Sequence, residues 1–405
     1  MLGLGLGTSK GGFIDALAEV TNTKSVLFDQ TDDFIQFGDL DVVTDNFTIS
    51  GWVKPTDASD FGVIMSKYDD NTTYKSDRVF RIVISGSVCI CTIKTSSGNN
   101  LATSTTTTTL SDGEWFHFAF TNDGSNLKGY INGVLEDTDS TASGSLNSSN
   151  QNFLIGAQYV NTVEDNEFGG NIDEVGIWNE ALTASEVAQI YHGSQANFDL
   201  SQNGGGYTSA SNLQAWWRMG DGILDDNNIA GNGLIGDQTN PTLATAITPH
   251  LNDDGNFNGN NWSTVAGDTG DWTGHNSSQT SMTLTKNGTD TGDLRLNLQS
   301  SINSGMSSDL ESNAIYKFVY SVSTTSSLPS FQFRINHGGG TTTNLVAGTD
   351  NVIYFKVESA SVFIQVRSNT DGQNFTLSNI SLEKVNGNAG VMINMPNNAI
   401  ETDTP

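Results

Sequence analysis

The chain has 405 residues, 36% of them hydrophobic and 15% charged, with 43 glycines against 6 prolines. Its 17 Lys and Arg face 45 Asp and Glu, a formal net charge of −28. That charge excludes a nucleic-acid or anionic-membrane partner, which would need clustered Lys and Arg, and the recurring aromatic and β-branched residues exclude a disordered chain.

Residues 1–22 read as an N-terminal docking arm. The start, MLGLGLGTSK, has no cationic head and no continuous apolar block, so no signal peptide is expected. The chain holds no run of about 18 apolar residues, so no membrane insertion is expected either. Leu2, Leu4 and Leu6 alternate with glycine, and Phe13 to Val20 suit one short helix. Such an arm is ordered only by docking on its own domain or on a partner.

Residues 23–193 carry a dense β pattern. Val26 to Phe28 and Phe34 to Phe37 are short strands, and Phe47, Ile49 and Val53 alternate against Trp52. Phe80, Ile82 and Ile84 follow, then Phe116, Phe118 and Phe120. Asn132-Gly133 predicts a tight hairpin, because this pair accepts the positive φ angles of a type I′ turn. Phe153 to Ile155 and Ile172 to Trp178 close the set. One helix follows: Thr183 and Glu186 form a capping box, Val187, Ile190 and Tyr191 an apolar stripe, and Gly193 a stop. Cys89 and Cys91 would share one face of a strand about 7 Å apart, too far for a mutual disulfide, so reduced thiols are expected.

Residues 194–250 form a Gly/Asn-rich connector around LQAWWRM, Leu213 to Met219, expected to pack on the preceding sandwich. Residues 251–386 repeat the β pattern. Leu294, Leu296 and Leu298 alternate, as do Tyr316, Phe318 and Tyr320, Phe331 and Phe333, Ile353 and Phe355, Ile364 and Val366, and Phe375 and Leu377. Strands at this spacing with polar turns predict a second sandwich. Residues 387–405 read as a polar acidic tail. The fold class is all-β: one sandwich followed by a second, a jelly roll.

Three segments carry a family resemblance. Ser25–Pro55 (SVLFDQTDDFIQFGDLDVVTDNFTISGWVKP), Gly113–Leu135 (GEWFHFAFTNDGSNLKGYINGVL) and Gly170–Tyr191 (GNIDEVGIWNEALTASEVAQIY) resemble the opening strands, central hairpin, and closing strand and helix of laminin-G-like, concanavalin A-like domains. Asn256-Phe257, Trp262 and the run Phe375 to Val385 resemble carbohydrate-binding jelly rolls. The layout as a whole, with AWWRMGDG at Ala215–Gly222 and ETDTP at the end, resembles structural proteins of marine tailed phages. That resemblance implies a virion component of tail, fibre or head decoration, made in the host cytoplasm. Its implied partners are other virion proteins and copies of itself, a trimer by analogy, with host-surface glycans as ligand. The alternatives are a purely architectural subunit and a polysaccharide-degrading enzyme.

An enzyme is not expected. Hydrolases of this fold carry paired carboxylates on the closing strand. Here Asn171 stands in the nucleophile's place, and an amide cannot attack. Asp173 shares a face with Val175 and Ile177 by alternation, so it should sit in the core and need a partner. The resemblance implies Ca²⁺, held by Asp173 with Asp29, Asp32 and Asp33 of the opening loop. The alternative is that Asp173 accepts backbone N–H bonds from that loop. For sugar, ring faces that can stack on a pyranose are the candidates: Trp272 on a polar loop, Trp262 near it, and Tyr68, Tyr74 and Tyr159 on loops of the first domain. Each could instead be packing.

Overall fold

The computed structural model describes residues 20–71, 75–96, 101–191, 196–226, 233–249, 262–264, 272–278, 280–289, 292–299, 303, 306–324, 331–338, 342–359 and 361–405. Most of the predicted arm, residues 1–19, lies outside the described residues, as do Asn256-Phe257.

The chain is all-β, as its alternating pattern predicts. Two eight-stranded antiparallel sheets face each other. The first runs through Val134–Asp139, Leu127–Ile131, Phe116–Asn122, Phe47–Pro55, Gly169–Trp178, Ser25–Asp29 and Ile400–Glu401. Leu213–Trp217 pairs with the upper part of Gly169–Trp178, beyond the end of Ser25–Asp29. The second sheet runs through Leu234–Ile235, Gly390–Ile393, Phe34–Gly38, Phe153–Ile155, Gly62–Tyr68, Arg78–Ser85, Val88–Lys94 and Leu101–Thr105. Alternate residues of both sheets interdigitate in one core that includes Val26, Phe28, Ile49, Val53, Phe80, Ile82, Phe118, Phe120, Ile172 and Trp217. Cys89 and Cys91 are buried, free thiols within it.

Local chemistry sets the turns. Asn132 and Gly133 both have positive φ, 50° and 77°, and join Leu127–Ile131 to Val134–Asp139. The helix Ala184–Tyr191 starts at the capping box: Thr183 N–H reaches Glu186 Oε2 at 3.0 Å, and Glu186 N–H reaches Thr183 Oγ1 at 3.3 Å. The helix roofs a second apolar cluster on the outer face of the first sheet, with Tyr130, Trp178, Phe198, Tyr207 and Trp216.

Two parts of the first sandwich come from far along the chain. Trp217 inserts into the core against Phe37 and Phe153, with ring centroids 4.5 and 5.7 Å away. Its Nε1–H donates to Asn388 O at 2.7 Å. The expectation of a polar tail at 387–405 is corrected. Gly390–Ile393 pairs with Phe34–Gly38, and Ile400–Glu401 pairs with Ser25–Asp29. Met392, Met395 and Ala399 enter the core. These segments are short enough that their apolar residues are lost among polar ones in sequence.

The second sandwich is therefore an insertion. It has two five-stranded sheets, one of Trp262–Thr264, Gly292–Asn297, Phe363–Ser368, Phe331–Asn336 and Thr342–Asn344. The other has Trp272–Ser278, Ser281–Lys286, Asn374–Lys384, Ile315–Thr324 and Gly348–Lys356. Leu284, Leu294, Phe318, Ile364, Phe375 and Leu377 are fully buried between them. Its two connections run side by side: Leu243 bridges Val385, Ile247 bridges Leu382, and Asn386 N–H donates to Thr242 O at 2.9 Å. Leu234, Ala389 and Val391 of the first sandwich pack with Ile315 and Tyr354 of the second.

Candidate functional site

The strand Ser25–Asp29 ends in a turn built by its last side chain. Asp29 Oδ1 accepts N–H bonds from Thr31 at 2.8 Å and Asp32 at 3.4 Å, and Gln30 takes φ +64°. This folds the chain back so that carboxylate oxygens of Asp29, Asp32 and Asp33 all lie within 4.8 Å of one another. Asp29 and Asp32 are exposed, whereas Asp33 is 1% exposed. Asp33 Oδ2 accepts the Asp29 N–H at 3.1 Å, and Oδ1 is buried without a hydrogen-bond partner. Burial, then the neighbouring charges of Asp29 and Asp32, push the Asp33 carboxyl up to about 6. Glu167 is also raised, by burial and then by Asp165, Asp32 and Asp29, so it faces the same negative potential.

Three crowded carboxylates with one orphaned oxygen suit a hard divalent cation. Ca²⁺ takes oxygen ligands, six to eight of them, in flexible geometry. Asp29, Asp32 and Asp33 would hold it, and its charge would remove the repulsion that raises Asp33.

The fourth expected ligand lies elsewhere. Asp29 pairs with Gly169, so Asp173 is four residues, roughly 13 Å, further along the strand. Nor does it follow the alternation that would place it with Val175 and Ile177. The register slips between Asp173 and Gly176, and Glu174 takes φ +45°. This bulge leaves Ile172, Val175 and Ile177 in the core and turns Asp173 to the outer face, opposite Trp52. The tie from Asp173 to the opening loop, with or without calcium, is thus corrected.

What Asp173 holds is the start of the described chain. Its Oδ2 accepts Asn22 Nδ2 at 2.8 Å and its Oδ1 accepts Glu174 N–H at 2.8 Å. Glu174 accepts Trp216 Nε1 at 2.6 Å and Arg218 Nε at 2.9 Å. Arg218 also donates to Thr21 O at 2.6 Å, and Asp221 accepts Thr23 Oγ1 and Lys24 N–H at 2.7 and 2.8 Å. Both carboxyls are raised by burial; Glu174's repulsion adds to the shift of Asp173, while Arg218 limits that of Glu174 to about 7. Asn171 donates to Ser25 Oγ and Glu401 Oε1 at 3.0 and 2.6 Å. The closing strand's polar residues are committed to neighbours.

The expected aromatic platforms are mostly packed. Trp272 opens the strand Trp272–Ser278 and is 3% exposed, so a loop platform there is corrected. Trp262 starts the strand Trp262–Thr264, but its side chain lies outside the described residues, as does all of Tyr74. Tyr159 is 6% exposed, with its hydroxyl accepting Asn152 Nδ2 at 3.0 Å. Tyr68 is 1% exposed and lies beneath two guanidiniums, Arg81 at 4.6 Å and Arg78 at 5.2 Å. Nothing in the sequence singles out these arginines, because Tyr68 ends the strand Gly62–Tyr68 while Arg78 and Arg81 lie on the strand Arg78–Ser85, and only the register brings them together.

Residues 29–188 match the model of the concanavalin A-like lectin/glucanases superfamily, laminin-G group. Comparison with curated proteins finds no match. Similar solved structures include a native heptameric SAP-like pentraxin from Limulus polyphemus, at 16% identity and TM-score 0.34, over 42% of this chain and 82% of that one. The CBM40 domain of a Ruminococcus gnavus IT-sialidase, bound to α2,3-sialyllactose, is similar at 17% identity and TM-score 0.33, over 37% and 84%. Domain 4 of an extracellular arabinanase from Geobacillus stearothermophilus, in complex with arabinotriose, is similar at 21% identity and TM-score 0.31, over 46% and 84%. The family match falls on most strands of the two facing sheets, so residues 29–188 are the matched part of a concanavalin A-like domain that Ser25–Asp29, Leu213–Trp217, Leu234–Ile235, Gly390–Ile393 and Ile400–Glu401 complete.

Proposed function

We propose that this protein is a non-enzymatic, calcium-dependent glycan-binding protein whose cation site is the turn of Asp29, Asp32 and Asp33. The observation that carries the reading is the buried, unpartnered Asp33 Oδ1 beside two exposed carboxylates. With one oxygen from each of the three side chains, a Ca²⁺ ion that takes six to eight would keep positions for water or for paired sugar hydroxyls. The concanavalin A-like fold of the domain supports the same reading.

The test is a glycan array probed with the full chain in calcium and in EDTA. Binding of at least one glycan that calcium supports, EDTA abolishes and Asp32→Ala weakens at least tenfold is the expected result. A chain that binds nothing at high valency in calcium refutes it and leaves the architectural reading.

Within this proposal the chain is a virion structural subunit displaying the domain toward a host surface, assembled with other virion proteins and with copies of itself. The support is the resemblance of its layout to tailed-phage structural proteins. Removing residues 1–20 should abolish incorporation into particles while the sandwiches still fold. Normal incorporation of the shortened chain refutes the docking role of the arm.

A further inference from the structure

A second polar cluster lies on the outer face of the second sheet. Arg78 and Arg81 come from the strand Arg78–Ser85, Tyr68 from its neighbour, and Gln158 from the strand Gln158–Val160. Arg78 Nη2 donates to Asp70 Oδ1 at 2.9 Å and to Asn71 O at 3.1 Å. Arg81 Nη1 donates to Asp70 Oδ2 at 3.3 Å and Gln158 Oε1 at 3.2 Å. Two guanidiniums thus share one carboxylate. Asp69, next to it, is occupied by the N–H groups of Asn161 and Thr162 at 2.8 and 3.0 Å.

Three donors in this cluster are buried with no acceptor: Arg78 Nε, Arg81 Nε and Gln158 Nε2. Gln158 is 1% exposed and Arg78 8% exposed. Unsatisfied buried donors are costly and rare, and three in one cluster mark missing acceptors. Beside them Phe61 is 39% exposed, its ring 5.9 Å from the Arg81 guanidinium. Thr92 and Thr103 continue the row from Arg81 across two more strands, with their hydroxyls 3.4 Å apart. An aromatic face, a hydroxyl row and acceptor-seeking guanidiniums match a sugar that carries a carboxylate, which Arg binds with charge-assisted, two-pronged geometry.

We propose that Phe61, Arg78, Arg81, Gln158 and Thr92 form a binding site for an acidic glycan, with the sugar carboxylate on Arg81 and Arg78 and the ring on Phe61. This rests on the glycan-binding reading, but it needs no cation.

The test is titration calorimetry of the full chain with oligomers of galacturonate, guluronate and sialic acid, each against its carboxyl-reduced form, in calcium and in EDTA. The expected result is at least a tenfold preference for one acidic form that persists in EDTA. Arg81→Gln should remove the preference with the melting temperature checked, Arg81→Lys should restore part of it, and Phe61→Ala should weaken both forms. Equal binding of acidic and reduced forms, no binding of any acidic form, or an Arg81→Gln protein that keeps the preference each overturn the proposal. Asp33→Asn separates the two readings. It should abolish calcium-dependent binding and leave acid preference intact; loss of the preference would place acid recognition at the cation site and overturn this one.

Discussion

Asp33 is the place where the cation reading can be weighed by stability as well as by binding. Its carboxyl is raised to about 6 by burial and by Asp29 and Asp32. A raised pKa means that ionising Asp33 costs the folded, cation-free protein stability. That stability is present below about pH 4 and is lost as pH rises through about 6. Calcium reverses the sign above that pH, because it binds the ionised form and releases the proton. At about 100 times its Kd, calcium should add about 2.7 kcal/mol. For a domain of this size that is a rise in Tm of roughly 5–10 °C. Scanning calorimetry at about pH 7.5 with calcium at about 10 mM, well above the range of weak extracellular sites, should show it. At about pH 5 the rise should be much smaller. Asp33→Asn should melt no lower than the parent without calcium, since a buried charge is gone, and should not respond to calcium. A parent protein whose Tm calcium leaves unmoved, or an Asp33→Asn protein that shows the full rise, refutes the site.

Asp237 is fully buried and accepts hydrogen bonds from five donors, Trp216 N–H, Thr239 N–H and Oγ1, and Asn388 N–H and Nδ2, at 2.8 to 3.1 Å. Asp237→Ala strands these donors, and urea unfolding followed by tryptophan fluorescence should show a loss of roughly 3–5 kcal/mol; less than about 1 kcal/mol would contradict the knot. Ending the chain at Asn386 should prevent the first sandwich from folding, because Gly390–Ile393 and Ile400–Glu401 are lost. Replacing residues 244–384 with a short loop should preserve that sandwich, read by near-ultraviolet circular dichroism; the opposite pair of results would refute the insertion topology. His117 is 1% exposed, and burial holds its ring down to about 3. A neutral buried imidazole supports folding above about pH 6.5 and loses that support as pH falls toward 3, at about 1.4 kcal/mol per unit of pKa difference. His117→Gln should flatten the acid side of a Tm profile between about pH 4 and 6.5; an unchanged slope would show that the acid loss arises elsewhere.

What the sequence made legible follows from how local each signal is. The Asp29–Asp33 turn could be found because its carboxylates lie within five residues and shape their own loop. The hairpin at Asn132-Gly133 and the capping box at Thr183–Glu186 are equally local. The arginine cluster was not legible, since Arg81, Tyr68 and Gln158 meet only through strand register. Trp272 misled because Gly270, Asp271 and Gly274 make its surroundings look like a loop, while its ring closes the second sandwich's core. The strand Gly390–Ile393 was hidden because its meaning depends on Phe34–Gly38, more than 350 residues earlier.

The closing strand shows most clearly what one irregular residue does to a functional reading. Regular alternation from Val175 puts Asp173 in the core, where a carboxylate calls for calcium or an active-site role. The bulge at Glu174 moves Asp173 across the sheet, and the same residue then becomes a fastening for Asn22. The case against a hydrolase is correspondingly different from the one that Asn171 alone supports. Two adjacent carboxylates are present, but Asn22, Trp216 and Arg218 occupy them, and residues 20–24 are bound across the same surface. A sugar could reach this pair only by displacing the segment that leads to the arm. The strand Gly169–Trp178 is occupied by residues 20–24, which leaves the opening turn and the outer face of the opposite sheet as the two surfaces where the proposed sites can be tested.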